Sequence, residues 1–228
     1  MRRGRFLALA ALLGAASLYI GLRTGALQPA PAVHPLTGRP IAGIATNADW
    51  MDRATREQEE SPAQALALVG IRPGTTVADV GAGSGYMTLR LAAAVGSAGK
   101  VYASDIQPAL LRIVQEKARA AKADNVEVVL GSATDARLPE DAIDLALLVD
   151  VYHEFQHPRE MLQSLRRSLK RDGRLVLIEY RKEDPTIPIA AAHRMSVAET
   201  RAEIEVEGFT FERVLAGLPR QHILIFRK

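Results

Sequence analysis

From Thr76 onward, short and almost unbroken apolar runs alternate with stretches whose apolar residues recur every three or four positions. The apolar runs are Thr76–Val80, Lys100–Asp105, Val126–Leu130, Ile143–Val149 and Arg174–Tyr180. Such continuous apolar character suits strands buried on both faces, as in a parallel sheet. Between them, helical spacing predicts helices over Tyr86–Val95 and Gln107–Ala121, the second with Leu110, Leu111, Val114 and Ala118 on one side. A further helix is predicted over Pro158–Leu169, with proline in its first turn and Gly173 past its end. Alternating strands and helices specify a doubly wound α/β sheet.

After Tyr180 the pattern changes. A loop with Pro185 and Pro188 precedes a helix near Val197–Val206 and two strands, Phe209–Val214 and His222–Phe226. Their connection is too short for a parallel crossover, so the pair is antiparallel. The expected architecture is a Rossmann-like seven-stranded sheet, mostly parallel with one antiparallel C-terminal strand. Upstream, Ser61 and Pro62 read as a helix cap and a first-turn proline.

The first residues follow another pattern. Arg2, Arg3 and Arg5 lead into an apolar run from Phe6 to Leu22, and no acidic residue precedes Asp49. Residues 1–32 are therefore expected to be a signal peptide or a membrane anchor, with a transit peptide as the third fate. Residues 33–60 follow as linker and N-terminal lid segment. Arginines before the apolar run place the domain outside the cytoplasm by the positive-inside rule, in the periplasm of a bacterium, with association at the cytoplasmic face as the other placement. The formal charge of +3 is more than accounted for by Arg2, Arg3, Arg5 and Arg23. The folded part is therefore slightly acidic, which leaves a nucleic-acid partner without its usual footprint. With no cysteine, disulfides, thiolate metal sites and a cysteine nucleophile are excluded.

The stretch VADVGAGSGY, Val77–Tyr86, carries the most chemistry. Glycines after a strand and before a helix allow a sharp turn and close approach of a ligand to the backbone. A dinucleotide fingerprint would have a glycine where Tyr86 stands. Asp79, just before the glycines, repels a phosphate and attracts an ammonium group. Asp105 ends the next strand, about twenty residues on, where an acid accepts hydrogen bonds from ribose hydroxyls. A carboxylate for an amine, open backbone and a carboxylate for ribose together describe S-adenosylmethionine.

In these residues the chain resembles the class I S-adenosylmethionine-dependent methyltransferases. Asp79, Gly81, Gly83 and Gly85 match the family's D-x-G-x-G-x-G motif, and Asp105 its ribose-binding acid. The resemblance spans Ser61–Lys228 and points to the branch that includes quinone-ring methyltransferases. It implies that Ala82 and Ile106 also contact the cofactor, that Ser132 and Ala133 lie at adenine, with Asp135 as the alternative, and that Asp150, Tyr152 and His153 sit beside the transferred methyl. SLKRDGRLVLIE, Ser168–Glu179, resembles the family's turn into its fifth strand, with Arg171 and Asp172 in place of the usual proline and glycine. The acceptor implied is a small molecule or a lipid. In relatives a segment such as Asp52–Ser61 can fold over the cofactor as a lid; read for charge alone, it is a solvated helix.

HEFQH, His153–His157, fits H-E-x-x-H, which on a helix holds zinc between two imidazoles. Pro158 opposes that reading, because it disfavours helical geometry at His157 and removes a backbone donor. No metal is therefore expected. Within a methyltransferase, His153 is a candidate base or acceptor-orienting group and Glu154 a candidate to orient it. His193 is a candidate for lining the acceptor site, while His157 reads as a helix entry and His222 as structural. Two other functions stay open: a non-catalytic nucleoside-binding module and a zinc hydrolase.

Overall fold

The computed structural model describes residues 32–228. Three short helices, α1 (Ala48–Met51), α2 (Arg56–Glu60) and α3 (Pro62–Val69), precede β1 (Thr76–Val80). There follow α4 (Tyr86–Val95), β2 (Lys100–Asp105), α5 (Pro108–Ala120), β3 (Val126–Leu130) and β4 (Ile143–Val149). A 3-10 turn (Tyr152–Glu154), α6 (Pro158–Ser168) and the long β5 (Leu169–Arg181) come next. The chain closes with a second 3-10 turn (Ala191–His193), β6 (Arg194–Met195), α7 (Val197–Glu205), β7 (Thr210–Leu215) and β8 (Gln221–Arg227).

The sheet runs β3-β2-β1-β4-β5-β8-β7, with the two-residue β6 paired to β5 off this path. β8 is antiparallel to β5, and β7 is antiparallel to β8, so β8 alone runs against the common direction. This is the expected seven-stranded topology. Alternation along the strands divides two cores. Ala78, Val80, Ala146, Leu148, Leu175 and Leu177 face α6 and α7, whereas Val77, Leu145, Leu147, Val176 and Ile178 face α3 and α4. Both faces are buried, which is why the strand sequences carry apolar residues at successive positions rather than at every second one. The strand order reverses between β1 and β4, and ligands of such sheets bind at the carboxyl ends of the strands beside that switch.

Two local expectations are corrected. Helix α6 has no glycine stop: Leu169 passes directly from helix to strand, and Gly173 lies inside β5. There the register against β4 jumps, and a Cβ on Gly173 would stand 2.9 Å from the Lys170 carbonyl oxygen. The glycine is required by a bulge. Ser61 does not cap α3 with its side chain; it takes a left-handed conformation at the joint between α2 and α3.

Residues 33–45 lie against the domain. Val33 bridges Pro40, and the buried Arg39 donates through Nε and Nη2 to Glu203 of α7 at 3.1 and 3.0 Å. The proposed leader lies outside the described residues. Among the described residues no helix is long and apolar enough to cross a membrane.

Candidate active site

A cavity of about 410 Å³ opens at the carboxyl ends of β1, β2, β4 and β5. Its floor is the glycine loop. Gly81 has φ +71°, donates to the Ser104 carbonyl at 2.8 Å, and would bring a Cβ to 2.6 Å from Val151. Gly83 donates its N–H to Asp105 Oδ2 at 2.9 Å, while Asp105 Oδ1 accepts from Gln107 N–H at 2.9 Å. Gly85 is the N-cap of α4, and Ala82 packs on Ala103 and Val114. Asp79, at the end of β1, accepts from Thr88 at 2.6 Å. Burial outweighs that bond and raises its pKa to about 6. Burial likewise lifts Asp105, against backbone hydrogen bonds that lower it.

Asp79, Gly81, Ala82, Gly83, Asp105, Ile106, Ser132, Ala133 and Asp150 all line this cavity. Gly85 sits behind the loop, within van der Waals reach of Val114. Asp135 does not contribute: its carboxylate accepts from Ser164 Oγ and Arg137 N–H at 2.7 Å each and braces the turn that presents Ser132. Asp150 has φ +53° and accepts from Gln221 at 2.7 Å. Its other oxygen is buried without a partner. Burial first, then the charges of Glu60 and Glu179, hold Asp150 well above the carboxylate range.

The charged stretch before α3 is only partly solvated: Asp52, Glu57 and Gln58 are exposed, but two charged residues are buried. Arg56 and Glu60 are 8% and 3% exposed, bonded to one another at 2.6 Å, and line the cavity with Trp50, Met51 and Arg53. This segment is fastened over the glycine loop. Ser84 Oγ donates to Asp52 at 2.8 Å, Lys117 bonds Asp52 at 2.5 Å, Tyr86 donates to Glu57 at 2.8 Å, and Met51 sulfur lies 2.7 Å from where a Cβ on Gly83 would stand. Alternating charges in the sequence gave no sign of which members would be buried.

At the far end, His153 is 1% exposed and uses both ring nitrogens. Nδ1 donates to Glu179 Oε2 at 2.7 Å, and Nε2 lies 3.0 Å from Nδ1 of His193. Glu179, not Glu154, therefore orients this histidine. Glu154 Oε1 is 3.9 Å from His153 Nε2, and its carboxylate accepts from Ala45 N–H at 3.1 Å. Burial raises the Glu154 pKa to about 7. Burial opposes protonation of His153, but the charge and hydrogen bond of Glu179 outweigh it and raise the pKa. His193 is lowered, by burial and by His153. Glu179 was missed in the sequence, although a lone acid inside the apolar run of β5 was its signal.

The H-E-x-x-H pair does not form. His153 ends up in a 3-10 turn, Phe155 is extended, and His157 is the N-cap of α6, so no single helix carries both. His222 sits in β8 opposite Glu179 and outside the cavity lining. His193 joins the site across the loop after β5. Phe155, Met161, Pro188 and Ile189 add apolar surface to the lining, with Gln156 polar among them.

Comparison with known proteins agrees with this geometry. A family described as a methyltransferase domain matches residues 71–215. The ubiquinone/menaquinone biosynthesis C-methyltransferase of Ectopseudomonas mendocina is 31% identical over 127 residues, covering 55% of this chain and 49% of the relative. That of Vibrio vulnificus is 29% identical over 156 residues, covering 67% and 60%. The chain thus spans about half to three fifths of the curated relatives it matches. A SAM-dependent methyltransferase structure from Aquifex aeolicus is 27% identical with a TM-score of 0.74, covering 79% of this chain and 96% of that one.

Proposed function

The chain belongs to the methyltransferase-domain family, and from that premise we propose that it methylates an apolar small molecule bearing a ring oxygen. That it is an S-adenosylmethionine-dependent methyltransferase follows from the family and its structural relatives. The acceptor class is inferred. It draws on the quinone-pathway names of the curated relatives and on the apolar residues that line the cavity with the two histidines.

The residues present fit the methyl donor. One Asp150 oxygen is buried in the cavity wall without a partner, which suits an ammonium group. Asp79 adds a second carboxylate at the same end, and Arg56 supplies positive charge for the amino acid's own carboxylate. Asp105 is held by Gly83 and Gln107 with acceptor capacity left for ribose hydroxyls. Ser132, Ala133 and Ile106 form the adenine end. When bound, the donor supplies a methyl on a sulfonium, and its transfer is an in-line displacement governed by positioning. The chain's part is to close Trp50, Met51 and Arg56 over the donor, exclude water, and hold the acceptor oxygen near His153 and His193.

The observation that carries this reading is a single cavity lined by Asp79, Asp105 and Asp150 together with the paired His153 and His193. Calorimetry of S-adenosylmethionine binding tests the donor half: Asp79→Ala and Asp105→Ala should each weaken it at least tenfold, and unchanged binding in both removes the assignment. Transfer of a labelled methyl into fractions of cell extract tests the acceptor half. Label in a small apolar phenol or quinol supports it; label confined to protein refutes it.

A further inference from the structure

We propose that His153, Glu154 and His193 form a site for one divalent transition-metal ion at the acceptor end of the cavity. The inference deepens the proposed reaction and rests on it only for the partner that would fill the ion's open position.

The donor atoms of the three side chains all lie within 4.8 Å of one another. His153 Nε2 is 3.0 Å from His193 Nδ1 and 3.9 Å from Glu154 Oε1. Ligand atoms around a tetrahedral ion with bonds near 2.0–2.1 Å stand roughly 3.3 Å apart. The observed separations, from 3.0 Å to no more than 4.8 Å, bracket that spacing.

Orientation is already supplied. Glu179 Oε2 accepts from His153 Nδ1 at 2.7 Å, which fixes the tautomer and directs the lone pair of Nε2 toward His193. A carboxylate behind a ligating imidazole is the usual support of a metal-bound histidine. Glu179 is itself anchored by the Tyr152 N–H at 2.9 Å. Among the described residues Glu154 has no Lys or Arg partner; its contacts are Ala45 N–H and the histidine.

Two imidazoles and a carboxylate suit zinc and its neighbours in the first transition row. Three protein ligands leave a position open, as in catalytic rather than structural sites. All three residues line the cavity, so that position faces the acceptor. The substrate class it selects is a molecule with a hydroxyl or enolic oxygen able to bind the ion. The H-E half of the H-E-x-x-H signature is thus used, with the second histidine coming from the loop after β5 instead of from position 157.

The test uses the full chain without a histidine tag, stripped by chelator and titrated with Co2+. One equivalent should bind with a visible absorption band that Zn2+ abolishes. His193→Ala and Glu154→Gln should each weaken binding at least tenfold, and Glu179→Gln by about 10–100-fold. His157→Ala should leave the titration unchanged. Absence of the band, or equal affinity in the first two variants with melting temperatures like the parent, overturns the site and leaves a metal-free chain of hydrogen bonds from Glu179 to His193. S-adenosylmethionine calorimetry on the stripped protein separates the two readings. Donor binding without cobalt binding removes only the metal, and cobalt binding without donor binding removes only the methyltransferase assignment.

Discussion

Glu179 Oε2 lies 2.7 Å from His153 Nδ1, and both side chains are withdrawn from solvent. The other Glu179 oxygen holds the N–H of Tyr152 at 2.9 Å, so one carboxylate fixes the start of the 3-10 turn and the ring that it presents. Glu179→Ala would leave two buried donors, His153 Nδ1–H and Tyr152 N–H, without partners. Removing one member of a buried pair costs about 3–5 kcal/mol. Urea denaturation should show a loss of that size, with Glu179→Gln retaining part of the stability through the Tyr152 bond. A loss under 1 kcal/mol, at the level of a surface pair, would mean that the pair is not formed.

Asp79 sets a pH limit on donor binding. Its folded pKa of about 6 exceeds its ordinary 3.8 because burial and, less strongly, Asp105 outweigh Thr88 and Arg56. The folded protein therefore takes up a proton more readily than the unfolded chain. This contribution to stability is fully present below pH 3.8 and is lost as pH rises through about 6. Roughly 3 kcal/mol is involved. An ammonium ligand prefers the ionised acid, so affinity for S-adenosylmethionine should fall as pH drops below about 6. Asp79→Asn should bind more weakly at pH 8 and lose the step near pH 6, leaving only the dependence set by Asp150, which burial also raises. The same acid limb in the variant would assign the titration elsewhere.

The strand ends and the glycine-loop side of the cavity were legible because each obeys a local rule. Thr76–Val80, Lys100–Asp105, Val126–Leu130 and Ile143–Val149 match the structure residue for residue; in β1 and β4 both-face burial writes itself into consecutive apolar positions, while the edge strand β3 is only partly buried. Asp79, the glycines and Asp105 follow from backbone geometry at fixed offsets from those strands. The acceptor end was legible only in pieces. His153 and His193 meet through a loop whose path no periodicity encodes, and Glu179 reaches His153 only through the β4–β5 register. The burial of part of Asp52–Ser61 was not legible because charge usually signals solvent. Arg56 and Glu60 neutralise one another and are buried together.

Gly81 is where backbone freedom is required. Its φ is +71°, and an added Cβ would stand 2.6 Å from both γ carbons of Val151. Gly81→Ala therefore adds left-handed strain of about 1–3 kcal/mol and pushes the loop against the chain after β4. Donor affinity should drop at least tenfold with the fold retained. Gly43→Ala, with nothing within 4 Å of its Cβ, is the control. Equal affinity in both variants would show that the loop accommodates a side chain without moving.

Arg39 ties the N-terminal segment to the acceptor end. Its guanidinium pairs with Glu203, whose side chain is fully buried, and Nη1 also donates to the His153 carbonyl at 3.2 Å. Ala42 N–H donates to that same carbonyl at 3.1 Å. Arg39→Ala strands the Glu203 charge, a loss of about 3–5 kcal/mol, whereas Arg39→Met with Glu203→Leu replaces the pair by apolar contacts and recovers most of it. The single variant should also free the backbone locally, because His153 O loses one of its two donors. Hydrogen exchange should accelerate at the amides of Glu154 and Phe155, which close the 3-10 turn, and stay slow at Gly83, which is held by Asp105. Uniform acceleration at both places would instead indicate global destabilisation, with no mechanical link between Arg39 and the histidine.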